Sequence, residues 1–193
     1  MKFYRFPPAH PQRLFCAVIA FVAVVLALPM LVQAALGDSS ADVEQVTLAE
    51  PSQDWEIDVP DLYCERDYES LASIGWNCGD VSVQATLTED AKDDATTLRR
   101  MVRALAMAPL PADAPTFDGT NGALLLADAP SSTAALSLDG TGKDENKDWV
   151  VTVTGKGDQA RATASRIWHA FGQEDLPAGA EAEFADFSGE LMY

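Results

Sequence analysis

The sequence predicts an α+β domain, an antiparallel sheet with two helices packed on one face, preceded by a single N-terminal transmembrane helix. Three observations carry that expectation. Residues 14–36 form an apolar run with no charged residue, longer than the ~20 residues that span a bilayer. Beyond the run, several short segments alternate apolar and polar residues with the period of a strand. Two further segments repeat their apolar residues at helical spacing instead.

The apolar run comes first in the chain. Residues 1–13 before it carry Lys2, Arg5 and Arg13 and no carboxylate. Short flanks rich in Lys and Arg stay in the cytoplasm, so 1–13 reads as a cytoplasmic basic tail, 14–36 as the membrane anchor, and the chain beyond about Gly37 as extracytoplasmic. The competing reading is a cleaved signal segment. Pro29 interrupts the run, and Val32-Gln33-Ala34 offers small residues for cleavage near Ala34, which would release a secreted protein. The length of the run exceeds the ~7–15 apolar residues of a signal segment and favours the uncleaved anchor. Cys16 lies at the start of the run and reads as a small apolar residue of that helix.

Charge then limits the partners. The chain has 13 Lys and Arg against 30 Asp and Glu, and without the three cations of the tail the remainder stands at −20. Such a surface repels phosphate backbones and anionic lipid headgroups, so no nucleic acid is expected as a partner. The acidity itself reads as a solubilising coat.

Residues 37–53 are acidic and lack clear periodicity, and they read as a flexible stalk. The domain is expected over 54–193, a length that can bury its own core. Trp55, Ile57 and Val59 alternate before Pro60 and suggest a first strand. Cys64 and Cys78 follow. In an exported chain two cysteines outside the membrane are expected to pair, and no C-x-x-C spacing or nearby His suggests a metal site instead. Tyr63, Tyr68 and Trp76 are expected to cover that bridge. Val81, Val83, Ala85 and Leu87 alternate with polar residues and mark a second strand.

Asp93 or Asp94 can cap a helix whose apolar stripe is Leu98, Met101, Val102, Leu105 and Ala108, ended by Pro109 and Pro111. Arg99, Arg100 and Arg103 lie off the stripe and read as ordinary surface charge at the helix C-terminal end. Residues 109–122 read as a long loop. Three strands then follow at 123–127, 133–138 and 149–154, joined as an antiparallel meander. A second helix starts near Asp158, buries Ala160, Ala164, Ile167, Trp168 and Phe171, and ends at Gly172. The tail 173–193 has a weak pattern.

The search for chemistry finds little. His10 lies before the apolar run, and His169 sits alone in the last helix beside Trp168. That inventory excludes a cysteine nucleophile and a multi-His metal site in the exported part. No Gly-x-Ser-x-Gly elbow is present, and Gly155-Lys156-Gly157 is too short for a phosphate loop. Two loops, 118–122 and 139–148, offer oxygen ligands for a hard cation. Neither has EF-hand spacing, and Lys143 and Lys147 oppose a cation in the second. No catalytic, cofactor-binding or metal residue is therefore assigned, and Cys64 and Cys78 are the only site residues expected. The basic tail, single span and sequon-free, Ala- and Asp-rich domain fit a bacterial cell-envelope protein. The expected role is a membrane-anchored extracytoplasmic binding or accessory protein, contacting the membrane through 14–36 and an envelope or secretion protein through its domain. An envelope hydrolase using carboxylates or Ser is the alternative.

Overall fold

The computed structural model describes residues 11–36, 43–90, 93–105, 110–111, 114–173 and 175–187. The chain divides into two compact units, Met1–Ala41 and Asp42–Tyr193. The first holds helix α1, Pro11–Leu36. Its side chains are described over 15–28, and among the described residues no helix is long and apolar enough to cross a membrane. Most of the basic tail lies outside the described residues.

The second unit is an α+β domain built on one eight-stranded antiparallel sheet. In chain order its elements are β1 Val43–Ala49, β2 Glu56–Arg66, β3 Ile74–Cys78, β4 Val81–Glu89 and α2 Asp94–Leu105. Next come β5 Thr116–Asp118, β6 Ala123–Asp128, β7 Thr133–Asp139, β8 Lys147–Thr154, α3 Gly157–Ala170 and α4 Ala178–Asp186. The strands lie in the order β1-β2-β3-β4-β8-β7-β6-β5. After β4 the chain crosses through α2 to the far edge, then returns as the meander β5 to β8, so β8 closes against β4.

Two apolar clusters lie on opposite faces of the sheet, as the pleat requires. On one, Trp76, Val83, Leu125, Leu136, Trp149, Val151 and Val153 pack with Ala164, Ile167 and Trp168 of α3 and Phe184 of α4. On the other, Leu124, Leu126, Ala135 and Val150 pack with Leu98 and Val102 of α2. The expectation of two helices on one face is corrected accordingly. The predicted helices α2 and α3 take opposite faces, because Ala123–Asp128 is buried along its whole length and needs cover on both sides. α3 also packs against β2, so the sheet wraps around it.

The stalk expectation also changes. Within 37–53, residues 43–49 form β1, where Val46 and Leu48 are wholly buried. Their alternation with Gln45 and Thr47 is only two apolar residues long, too short to stand out between acidic flanks. The first expected strand extends past Pro60 to Arg66. Pro60 is tolerated because the β1–β2 register shifts between Gln45↔Tyr63 and Thr47↔Asp58, and Asp61 takes a left-handed φ of 58° there. The β2–β3 pairing is confined to Glu65 and Arg66, so the missing N–H of Pro60 interrupts no ladder on that side.

The tail supplies α4, whose Phe184 stacks on Phe187 with ring centroids 4.8 Å apart. Leu191 and Tyr193 lie outside the described residues. α3 ends as expected, with Gly172 at φ 76° donating its N–H to the His169 carbonyl at 2.9 Å. Asp158 lies in the first turn of α3 and does not cap it, since Lys156 holds the N-cap position without a side-chain bond.

Candidate functional site

The site begins with the crossing of α2. Asp93 caps this helix, accepting a hydrogen bond from the Thr96 N–H at 2.9 Å, and that bond holds its carboxyl below the usual carboxylate range. Asp94 is the first residue of α2 and lies over the second face of the sheet. On that face the last residue of β7, Asp139, stands opposite Asp148 near the start of β8. Along β8, Trp149, Val151 and Val153 point to the α3 face, so Asp148 and Val150 point toward α2.

The three carboxylates converge. One oxygen from each of Asp94, Asp139 and Asp148 lies within 4.8 Å of the other two. Asp148 is 8% exposed, and no donor among the described residues bonds to its carboxylate. Asp139 Oδ1 is likewise buried without a hydrogen-bond partner. Burial first, then the charges of Asp139 and Asp94, push Asp148 up to about 6. Burial and then Asp94 also raise Asp139.

The neighbouring hairpin turn completes the enclosure. Asn121 and Gly122 both have positive φ and close a tight β5–β6 turn, with the Ala123 N–H bonded to the Thr120 carbonyl at 3.1 Å. A Cβ on Gly122 would collide with the Asp139 carboxylate, so only glycine leaves that carboxylate its place. The turn is held from behind by Gln173, 8% exposed. Its Oε1 accepts from Thr120 N–H at 2.7 Å and Oγ1 at 2.9 Å, and its Nε2 donates to the Thr120 carbonyl at 2.9 Å. A groove of about 440 Å³ opens here, lined by Asp93, Asp94, Asp118, Gly122 and Asp139 among others.

This arrangement concentrates negative charge at the start of α2. Lys147, the cation next to Asp148 in sequence, is paired with Asp144 at 2.7 Å. Among the described residues no ion pair reaches Asp94, Asp139 or Asp148.

The sequence-expected residues fall elsewhere. Cys64 and Cys78 form a disulfide between β2 and β3, with Cα atoms 4.6 Å apart. Trp76 is fully buried beneath that hairpin, but Tyr63 and Tyr68 are 60% and 90% exposed and do not cover the bridge. Their expected packing is corrected, since β2 carries its inward face on Leu62 and Cys64. His169 is exposed, with Nδ1 3.0 Å from the Gln173 carbonyl and no Ser or acid bonded to it among the described residues. Arg99 donates to the Ala114 carbonyl at 3.0 Å and pins the segment after α2.

Both loops considered for a cation do contribute, but through their ends and in concert. Asp139 and Asp148 close the longer loop, and Asp118 and Gly122 belong to the shorter one. The pairing of Asp139 with Asp148 follows from extending the strand register of Leu138 and Trp149 by one step. The arrival of Asp94 depends on α2 crossing the second face, which no local pattern announces. Comparison with protein-family models, with curated proteins and with solved structures finds no match.

Proposed function

We propose that this chain is a single-pass, membrane-anchored extracytoplasmic binding or accessory protein of the bacterial cell envelope, with no catalysis of its own. The observation that carries the reading is the Cys64–Cys78 disulfide, because such bridges persist in oxidising compartments outside the cytosol. Helix α1 supports it: Phe15, Val18, Val22 and Val25 on one side of the axis and Ala20, Ala23, Val24 and Ala27 on the other leave it without a polar face, as suits apolar surroundings. With Lys2, Arg5 and Arg13 on the cytoplasmic side, residues 14–36 contact the membrane and the domain faces outward. Cleavage near Ala34 would instead release the same domain. Binding is supported by Tyr63, Tyr68 and Leu71 of the β2–β3 hairpin, large side chains turned to solvent in the type of residue that interfaces favour. The partner is a second envelope or secretion protein, and the acidic surface disfavours nucleic acid.

A photoreactive residue in place of Tyr68, activated in intact cells, tests the reading. Discrete adducts with an envelope protein, reduced by Tyr63→Ser and Leu71→Ser, are expected. Recovery of the uncomplexed monomer alone, or of cytoplasmic proteins alone, would overturn it.

The hydrolase alternative gains one specific observation, the convergence of Asp94, Asp139 and Asp148. The spacing weighs against it. Paired carboxyls that act across a glycosidic bond stand ~5–5.5 Å apart or farther, to admit the sugar carbon or a water. Here one oxygen of each carboxylate lies within 4.8 Å of the others, and Asp148 is not among the residues that line the groove.

A further inference from the structure

We propose that Asp94, Asp139 and Asp148 form a binding site for one hard divalent cation of the Ca²⁺ class, which ties the start of α2 to the β7–β8 ladder. The acidic cluster is joined by a second observation. Asp148 is 8% exposed, brings one carboxylate oxygen to the other two carboxylates and accepts no hydrogen bond on its side chain from any described residue. Asp139 is half-buried, and its Oδ1 is enclosed without a hydrogen-bond partner. Buried carboxylates are ordinarily hydrogen-bonded or paired, so a group that enters between them answers both deficits at once.

Ligand chemistry favours the ion. Oxygens that ligate Ca²⁺ lie ~2.3–2.6 Å from it, so no two of them stand more than about 5 Å apart. One oxygen from each of the three carboxylates lies within 4.8 Å of the other two, inside that bound. Mg²⁺ gives up its water reluctantly and demands a nearly ideal octahedron. Zn²⁺ is disfavoured because the cluster contains no His or Cys. Ca²⁺ takes 6–8 oxygens, and the groove supplies what the three carboxylates leave open, with Asp118 at its exposed rim and access for water. Gly122 maintains the space in which the Asp139 carboxylate sits, and Gln173 fixes the turn that carries Gly122. The attachment joins Asp94 on α2 to strands that α2 otherwise meets only through its apolar stripe.

The full chain in a non-ionic detergent, stripped with EDTA and held at 150 mM KCl, is titrated with CaCl₂ while its thermal unfolding is followed. Choline chloride of equal ionic strength serves as the control. At about tenfold the dissociation constant, Tm should rise by roughly 3–6 °C beyond the control. MgCl₂ should give a smaller rise. Asp139→Asn and Asp94→Asn should abolish the saturable part while unfolding remains cooperative, since each removes a repelling charge. Equilibrium dialysis of the unaltered chain against radioactive Ca²⁺ gives a readout that needs no variant, with one saturable ion per chain expected. Absence of a saturable ion at millimolar Ca²⁺, or an undiminished response in cooperatively folded Asp139→Asn, would overturn the proposal.

Discussion

At the scale of single residues, the aspartates of the second sheet face set two measurable properties. Asp148 is 8% exposed and its carboxyl is raised from 3.8 to about 6, first by burial and then by Asp139 and Asp94. Between those values the folded chain holds a proton that the unfolded chain has released. Stability therefore falls as pH rises through the window from about 4 to 6, and it stays lower above it. The loss is on the order of 2–3 kcal/mol. Asp148→Asn should flatten this part of the profile when urea unfolding is compared at pH 4.5 and pH 7 in EDTA. An unchanged slope would place the proton elsewhere. Asp93 behaves oppositely, because its carboxyl is lowered by the Thr96 N–H and its contribution fades only as pH falls below 3.8. Gly122 gives the second expectation. Alanine there meets both the φ of 75° and the Asp139 carboxylate, and should cost about 1–3 kcal/mol by denaturant unfolding. A neutral result would mean that the turn relaxes away from Asp139.

At the scale of elements, the disulfide has a defined mechanical role. Cys64 and Cys78 clamp β2 to β3, whose ladder is otherwise only Glu65↔Asn77 and Arg66↔Trp76. Replacing both cysteines with Ser should lower stability by about 2–4 kcal/mol without abolishing the fold, because most of the core lies around Trp149, Leu136 and Ile167. Complete unfolding at 25 °C would show that the bridge, and not the core, holds the sheet. This pairing was legible because the chain beyond the apolar run holds just two cysteines, so each has one available partner. The strand at 81–87 was legible from its unbroken alternation, and those at 133–138 and 149–154 from short apolar runs bounded by polar turns. β1 and α4 were not. β1 has only Val46 and Leu48 as its inward residues, and α4 buries Ala180 and Phe184 on a helix otherwise filled with Ala and acids. The face taken by α2 was equally hidden, because a helical stripe specifies that a surface is covered and not which one. The carboxylate site inherits that limit. Its Asp139–Asp148 half follows from hairpin register, while its Asp94 half depends on the path of the crossover.

At the scale of the whole molecule, the organising fact is where the folded unit begins. Its boundary falls at Asp42, ahead of β1, rather than near residue 54. β1 is an edge strand, yet Val46 and Leu48 have no exposed surface and share one cluster with Val59, Leu62 and Trp76. Removing it would uncover the inner side of β2 and leave the 11-residue β2 as a new edge, held on its other side by two register pairs and the Cys64–Cys78 disulfide. Burying a Val and a Leu contributes about 1.5–3 kcal/mol each, and the cost of opening the core around them adds to that loss. A fragment that begins at Asp42 should therefore unfold cooperatively, with a Tm within a few degrees of the full chain in detergent. A fragment that begins at Asp54 should lose at least about 5 kcal/mol, which takes a domain of ordinary stability close to its unfolding threshold. The measurement is thermal unfolding followed by tryptophan fluorescence, since Trp76 and Trp149 are both buried and report on the sheet. Equal stability of the two fragments would mean that residues 43–49 tether the domain without belonging to it.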